Sequence, residues 1–314
     1  MELIRGLYNV RPHHHGCVLT IGNFDGVHLG HQAVLGKLIE KARELQLPAT
    51  VMLFEPQPLE LFLGEKAPAR LSRLRDKVAA LRALGMDRVI VEPFTPHFAC
   101  LAPQDFIEQQ LVARLGVKFL VVGDDFRFGH KRGGDFALLS EAGARHGFTV
   151  TSTDSFCLVD DRVSSTRIRE ALAADRLADA ESMLGRPYSI SGRVHHGAKK
   201  GRTLGFPTVN LPLKRKVSPL NGVFAVDVLG AADTAWPGIA NIGVKPTVNG
   251  TVPTLEVHLL DFDGDLYGCQ LEVVLRKKLR DEQKFASLEA LRSQIEKDEQ
   301  AARVFFAHRK QSLE

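Results

Sequence analysis

Hydrophobic and polar residues follow two different periods along this chain, and the period changes past its middle. In the first part, apolar runs of four to six residues alternate with longer stretches whose apolar positions recur every three or four residues. The runs predict strands at 17–22, 49–54, 88–91, 119–123 and 148–151, and the longer stretches predict helices at 31–45, 72–84, 103–115 and 135–146. Strands that alternate with helices of about a dozen residues indicate an α/β domain with a doubly wound parallel sheet.

From about residue 186 the apolar runs are short and are broken by glycine, proline and asparagine. They predict strands at 188–194, 207–211, 222–229, 235–242, 254–260 and 270–275, which favour a small antiparallel β-barrel. Apolar positions at helical spacing from 288 to 305 predict a terminal helix. Because Gly185 and Pro187 interrupt the chain between the two patterns, we expect two domains, at residues 1–183 and 186–314, and we expect the second to fold when expressed alone.

Charge and cysteine content narrow the range of partners. The 314 residues include 41 basic and 37 acidic side chains that are interleaved, so no positive stripe for a nucleic acid stands out. Four scattered cysteines without a CxxC pair argue against a zinc site or a disulfide framework and favour a reducing compartment. No stretch approaches the roughly 18 apolar residues of a membrane span. These features predict a cytoplasmic protein that binds small molecules, without nucleic-acid or membrane contact.

Residues 22–31, GNFDGVHLGH, join the strand at 17–22 to the helix that follows it. In an open α/β sheet, this edge is where ligands bind. His28 and His31 are three residues apart at a helix N-terminus, so both rings face the same place beside free N–H groups and the positive end of the helix dipole. Such a site would hold a polyphosphate under in-line attack without a covalent nucleophile. The alternative is a glycine-rich turn with one capping and one exposed histidine.

Residues 164–169, SSTRIR, open another predicted helix. Serine and threonine are typical N-cap residues. Arg167 and Arg169, however, stand in a first turn where the helix dipole disfavours cations, and an anionic ligand would resolve this conflict. As structure alone, the hydroxyl groups cap the helix.

GNFDGVHLGH and SSTRIR together resemble the prokaryotic bifunctional riboflavin kinase/FAD synthetase family, whose N-terminal half is a nucleotidyltransferase. FEPQP at 54–58 and VGDDFRFG at 122–129 are similar to the same family's pattern, although some relatives carry Asn in place of Asp125. The resemblance implies that His28 and His31 act on the phosphates of ATP. It implies further nucleotide contacts from Gly22, Phe24, Asp25, Gly30, Asp125, Ser164, Ser165, Thr166, Arg167 and Arg169, and flavin contacts from Phe54, Pro56, Pro58, Phe126 and Phe128.

In the second half, a basic glycine-rich loop leads into PTVN at 207–210. It lacks the G-x-x-x-x-G-K-[ST] of Walker-type kinases and, taken alone, also fits a solvated hairpin. With NGVF at 221–224, ANIGVKPT at 240–247 and LEVHLL at 255–260, it resembles the riboflavin kinase module of the same family. The resemblance implies nucleotide contacts from Gly197, Lys200, Gly201, Gly205 and Asn210, magnesium at Thr208 and Asn210, proton transfer from the ribityl 5′-hydroxyl to Glu256, and flavin contacts from Arg280 and Phe285.

Residues 261–265, DFDGD, copy part of the spacing of a calcium loop. Leu266 stands where such a loop requires glycine, so we predict a β-hairpin turn there instead.

The resemblance extends over nearly the whole chain. It implies phosphorylation of riboflavin to FMN in the C-terminal domain and adenylylation of FMN to FAD in the N-terminal domain, with Mg²⁺ as cofactor and ATP as co-substrate. Riboflavin, FMN, FAD and ATP are then the partners. Two alternatives stay open: a nucleotidyltransferase for another small phosphate with a non-catalytic barrel, and a barrel that binds nucleic acid. The first leaves PTVN and Glu256 unexplained, and the second calls for aromatic stacking platforms that the barrel half does not supply.

Overall fold

The computed structural model describes residues 1–153, 163–195, 205–213, 217–247 and 250–311. It divides into two compact units, the first formed by Met1–Pro68 with Ser72–Ser165 and the second by Ala69–Leu71 with Thr166–Glu314. Within the described ranges, no helix combines the length and the apolar character that crossing a membrane requires.

The first unit contains a six-stranded sheet whose neighbouring strands are all parallel. Its strands are β1 (Glu2–Arg5), β2 (Cys17–Ile21), β3 (Ala49–Glu55), β4 (Arg88–Pro93), β5 (Val117–Val122) and β6 (Thr149–Ser152). In the spatial order β1-β4-β3-β2-β5-β6, the chain order reverses at β2, so the carboxyl ends of β2 and β5 border the switch point where such sheets bind ligands. The predicted parallel sheet is confirmed. Edge strand β1 is not predicted from the apolar pattern, because charged residues occupy both of its ends.

Helices pack an apolar core against each face of this sheet, as the sequence predicts. They are α1 (Leu29–Glu44), α2 (Pro58–Leu63), α3 (Leu74–Ala83), α4 (Pro96–Ala99), α5 (Pro103–Asp105) and α6 (Phe136–His146), with 3₁₀ turns at Leu7–Asn9, Pro12–His14, Gly64–Lys66 and His130–Arg132. α5 continues into a π-helical segment, Phe106–Arg114, where the sequence predicts a single helix. α6 begins after Asp135, whose carboxylate accepts the Leu138 N–H at 3.0 Å, and ends at Gly147 with a left-handed φ of 74°.

The second unit is a nearly closed barrel of six antiparallel strands. The strands are β7 (Ser189–Arg193), β8 (Val209–Pro212), β9 (Gly222–Leu229), β10 (Trp236–Thr247), β11 (Gly250–Leu259) and β12 (Gln270–Arg280), in the order β7-β12-β9-β10-β11-β8. The end strands approach each other where the His195 N–H donates to the Asn210 carbonyl at 2.9 Å. The predicted barrel is confirmed, and β10 and β12 extend beyond their predicted ends.

In the described part of the second unit, three helices accompany the barrel: α7 (Ser165–Ala173), α8 (Leu177–Leu184) and α9 (Leu288–Gln311). Buried residues of α7 and α8, namely Ile168, Leu172 and Leu184, belong to the same apolar cluster as the barrel interior. The terminal helix α9, predicted from its spacing, places Ala302 in a separate cluster with outward-facing residues of β9 and β10.

The predicted β-hairpin at 261–265 is wrong. β11 pairs with β10 and β8, whereas β12 pairs with β9 and β7, so the segment between them crosses to a different part of the barrel. Alternation of apolar and polar residues identifies strands but not their neighbours, because each strand has two edges that can pair.

Candidate functional site

The loop between β2 and α1 has an unusual backbone. Phe24 and Val27 adopt positive φ angles of 45° and 43°, and Gly26 has a φ of 83°. Side-chain-bearing residues avoid this region, and each one held there costs about 1–3 kcal/mol, which surrounding contacts must offset. A strained loop at the switch point is therefore a candidate for function.

Buried polar groups hold this loop in place. The Ser72 hydroxyl accepts the Gly26 N–H at 3.0 Å, while the Ser72 N–H donates to the Asp25 carboxylate at 3.0 Å. The Ser165 hydroxyl donates to the Asp25 carbonyl, also at 3.0 Å. Asp25 is 2% exposed, so its carboxylate serves the loop itself. Its expected nucleotide contact stays a prediction.

The two histidines form a stacked pair at the start of α1. Their ring centroids are 3.6 Å apart with planes at 19°. His28 caps the helix, since its Nδ1 accepts the His31 N–H at 3.3 Å, and an accepting Nδ1 leaves the proton of a neutral ring on Nε2. Burial, followed by the neighbouring His28 and Lys77, holds the pKa of His31 well below its usual range. A neutral His31 ring thus stands beside the capping His28 at the positive end of a helix dipole.

Lys77 of α3 belongs to this arrangement although the sequence analysis does not single it out. Its side chain is buried, and its ammonium group donates to the Asn23 carbonyl in the loop. Ser72, just before α3, was likewise missed. A signal exists for Lys77, because it lies between Leu74 and Leu81 on the inward stripe of a helix, where a charge is unexpected.

Asp125 lies beyond the carboxyl end of β5, the strand beside β2 at the switch point. It is exposed, and its Oδ1 lies 2.9 Å from the position that a Cβ of Gly123 would occupy. Glycine at 123 therefore lets the carboxylate fold back over the strand end.

Aromatic side chains connect the expected flavin contacts of the first unit. Phe54 lies 5.7 Å from Phe98 between ring centroids, Phe98 lies 6.1 Å from Phe106, and Phe106 lies 5.4 Å from Phe128. Phe126 stacks on Phe128 at 5.6 Å. Two distant sequence motifs are thereby joined through two phenylalanines that the sequence analysis did not include. Pro56 precedes α2, and Pro58 is its first residue.

The SSTRIR segment begins α7 at Ser165. Ser164 and Ser165 belong to the first unit, whereas Thr166, Arg167 and Arg169 belong to the second. The Arg169 Nε donates to the Ala69 carbonyl at 2.5 Å. Ser165 contacts the loop through its hydroxyl group, and all the nucleotide contacts expected of this segment stay predictions.

A row of polar residues crosses the outer face of the barrel. Asn210 of β8 is directly opposite Glu256 of β11, and Glu256 is directly opposite Asn241 of β10. Directly opposed residues in antiparallel strands share a face. Leu255 and Val257 contribute to the barrel core, so Glu256 is on the outer side. Register thus brings together Asn210 and Glu256, which are far apart in sequence.

A cavity of about 450 Å³ is lined in part by Thr208 and Val209, which precede Asn210 in the chain. Gly205, Pro207 and Thr208 line one side, and residues 262–267 line the other. Arg303 of α9 anchors this second wall through two hydrogen bonds to Asp261, at 2.6 and 2.7 Å, and these bonds lower the pKa of the Asp261 carboxyl. The segment expected to be a hairpin turn is a wall of the cavity beside Thr208.

Arg280, an expected flavin contact, has another partner. Its guanidinium group bonds both carboxylate oxygens of Asp298 in α9, at 2.8 to 3.0 Å, and lies 5.6 Å from the ring of Phe285. The pair is nearly buried, so it fastens the terminal helix to β12. The flavin contacts of Arg280 and Phe285 stay predictions, and Gly197, Lys200 and Gly201 lie outside the described residues.

Comparisons with known proteins match both units. A family model described as FAD synthetase matches residues 10–167, and one described as riboflavin kinase matches residues 184–306. A "Bifunctional riboflavin kinase/FMN adenylyltransferase" of Escherichia coli strain K12 is 58% identical, covering 98% of each chain. The protein of the same name from Haemophilus influenzae is 55% identical, covering 98% of this chain and 99% of its own. A crystal structure named as a macrolide-efflux protein from Streptococcus pneumoniae has a TM-score of 0.75 at 28% identity, covering 96% of this chain and 98% of that one.

Proposed function

The chain belongs to the bifunctional riboflavin kinase/FMN adenylyltransferase family, and from this premise we propose that its two reactions take place at the two sites described above. The protein phosphorylates riboflavin to FMN with its C-terminal half and adenylylates FMN to FAD with its N-terminal half. A non-catalytic barrel is ruled out, since the riboflavin kinase family matches it. The observation that most supports the site assignment is the opposition of Asn210 and Glu256 across β8 and β11.

For adenylylation, we assign the polyphosphate of ATP to the N-terminus of α1. A phosphate oxygen of FMN forms a bond to the α-phosphorus of ATP, and the bond to pyrophosphate breaks. His28 and His31 then donate Nε2–H groups to phosphate oxygens as charge shifts onto them, which lowers the barrier because the donors are already in place. The aromatic chain from Phe54 to Phe128 offers the flavin an apolar surface.

For phosphorylation, we assign Glu256 as the base that accepts the proton of the ribityl 5′-hydroxyl and the cavity beside Thr208 to ATP. The Thr208 hydroxyl and the Asn210 amide offer hard oxygen ligands of the kind that Mg²⁺ prefers, so the residues fit this ion. When bound, Mg²⁺ supplies positive charge that neutralises the phosphates of the transferred group.

We retain the division at residues 183–186 for the catalytic assignments. The two family matches leave residues 168–183 outside either range, and α7 and α8 pack with the barrel core, so we propose that the folding unit of the kinase half begins before residue 186. We place the enzyme in the cytoplasm, where ATP is abundant and free thiols such as Cys17, Cys100 and Cys269 persist. Its proposed partners are riboflavin, FMN, FAD and ATP.

The direct experiment incubates the purified chain with riboflavin, ATP and magnesium chloride and separates the flavins by chromatography over time. FMN should rise first and FAD should follow. FAD formation from supplied FMN without any phosphorylation of riboflavin would refute the kinase site, and the reverse would refute the adenylylation site.

A further inference from the structure

Gln57 carries a side-chain amide that is largely buried. It directly precedes α2 and is 8% exposed. Its backbone N–H donates to the Glu60 carboxylate at 2.9 Å and its carbonyl accepts the Glu60 N–H at 2.8 Å, so backbone groups hold the turn into α2. Among the described residues, none makes a hydrogen bond with the side-chain Nε2. An amide withdrawn from water without an acceptor lowers stability, so this one calls for a reason beyond the fold.

Aromatic side chains flank Gln57 along the chain at the carboxyl edge of the parallel sheet. Phe54 of β3 precedes it and Phe62 of α2 follows it, and both rings pack on that of Phe94, at 5.5 and 5.9 Å between centroids. The Phe94 N–H donates to the Glu55 carbonyl at 3.1 Å, which joins the ends of β4 and β3. Phe62 is 64% exposed, so this aromatic group is open to solvent. Gln57 therefore lies at the edge where such sheets bind ligands, between two members of an open aromatic surface.

The flavin ring of FMN matches both features. Its dimethylbenzene end is apolar, whereas its pyrimidine end carries two carbonyl oxygens that accept hydrogen bonds. Phenylalanine rings can cover the first end but supply no donor for the second. A neutral amide suits an uncharged carbonyl group, while phosphates are bound mostly by charged side chains and helix N-termini. The buried amide therefore fits the flavin better than it fits the polyphosphate of ATP.

We propose that Gln57 is a specificity-determining residue for FMN, which donates an Nε2–H to a carbonyl oxygen of the flavin's pyrimidine ring. The inference rests on the proposed placement of the flavin on the aromatic side chains of the first unit. The unfavourable burial of the amide in the free enzyme is offset when FMN supplies the acceptor. A flavin that lacks this acceptor leaves the amide unpaired in the complex, so the site discriminates against it.

Gln57→Met tests the donor, because it keeps the length of the side chain and removes the amide. Gln109→Met is the matched control, since Gln109 is an exposed glutamine of the same unit whose amide already bonds the Asp105 carboxylate at 3.1 Å. Urea unfolding checks that each full-length variant is folded. In FAD synthesis, we expect Gln57→Met to lower kcat/KM for FMN about three- to tenfold through a raised KM, as for the loss of one uncharged hydrogen bond. The KM for ATP, riboflavin phosphorylation and the control should be unchanged.

Two flavin analogues supply a measurement that a purely structural role would not change. In 2-thio-FMN and 4-thio-FMN, sulfur replaces one of the two carbonyl oxygens, and sulfur accepts hydrogen bonds weakly. The wild type should use one of these analogues less well than FMN, by about the same three- to tenfold factor. In Gln57→Met that difference should disappear, because the donor that reads the oxygen is gone.

Wild-type kcat/KM for FMN in Gln57→Met, as expected if a water molecule satisfies the amide, would overturn the proposal. A defect confined to the KM for ATP would overturn it as well. If Gln57→Met does not fold, equal use of FMN and both thio analogues by the wild type still overturns it. Phe54→Leu, measured in parallel, keeps the flavin placement separate. A normal KM for FMN in Phe54→Leu removes that placement, whereas a raised KM there with a normal KM in Gln57→Met removes only the role of Gln57.

Discussion

The loop at the start of α1 and the polar row on the barrel position their side chains in opposite ways. The loop keeps two non-glycine residues at positive φ and depends on buried contacts from Ser72 and Lys77. The row needs no strained backbone at Asn210 or Glu256, because the register of β8, β11 and β10 aligns its members. The loop therefore concentrates its chemistry in one contiguous motif, while the row scatters its residues over the sequence. Damage to supporting contacts should harm the loop site more than the row.

Each unit has its own apolar core. The prediction with the largest expected effect tests whether the barrel core is stable without α7 and α8. A fragment of residues 186–314 lacks Ile168, Leu172 and Leu184, each at most 2% exposed in the barrel core. Burial of such side chains contributes about 1.5–3 kcal/mol each, a total similar to the whole stability of a small domain. We expect the fragment 186–314 to be largely unfolded and the fragment 163–314 to be folded and to form FMN.

Circular dichroism during urea titration would measure both fragments. A cooperative transition at equal urea concentrations in the two would show that α7 and α8 are dispensable, and the division at 183–186 would then hold for folding as well.

Glu256→Gln tests the row directly. A primary alcohol is a poor nucleophile at neutral pH, so loss of a positioned base should slow riboflavin phosphorylation by about 10²–10⁴. Adenylylation of supplied FMN should be unchanged. Thr208→Ala is the companion variant, and its kinase defect should diminish at raised magnesium concentration, whereas that of Glu256→Gln should not. The measurement is initial FMN and FAD production over a magnesium series; near-normal FMN production in Glu256→Gln would contradict the assignment.

His28→Ala and His31→Ala make the reciprocal test in the loop. Removing one pre-organised donor should lower FAD synthesis from FMN by about 10²–10³, while FMN accumulates from riboflavin. His13→Ala, an exposed histidine of the same unit, is the control and should have no effect. FAD synthesis at the control rate in either variant would mean that the phosphates bind elsewhere.

The smallest expected effect concerns the Arg280–Asp298 pair beside the row. Breaking a nearly buried ion pair leaves a charge without its partner, so Asp298→Asn should lower the free energy of unfolding by about 2–4 kcal/mol. Glu296→Gln removes an exposed partner of Arg292 on the same helix and should cost less than about 1 kcal/mol. Urea unfolding measures both. A raised KM for riboflavin in Asp298→Asn with unchanged stability would instead favour the flavin contact predicted for Arg280.

The sequence by itself determined the alternating strand–helix pattern of the first half and the short-strand pattern of the second half. It also determined the order of the predicted strands along the chain and the motifs of both halves. These rest on local physics: apolar periodicity follows from helix and strand geometry, and contiguous motifs such as GNFDGVHLGH keep their residues together in any fold.

Tertiary structure decided everything that depends on which distant segments meet. The pairing of β11 with β8 aligned Glu256 with Asn210, and the crossing after β11 made residues 262–267 a cavity wall rather than a hairpin. The packing of α3 brought Lys77 to the loop, and the packing of α7 and α8 joined them to the barrel core. A strand can pair at either edge and a helix can pack against several partners, so these contacts depend on the summed burial of the folded chain, which no local pattern records.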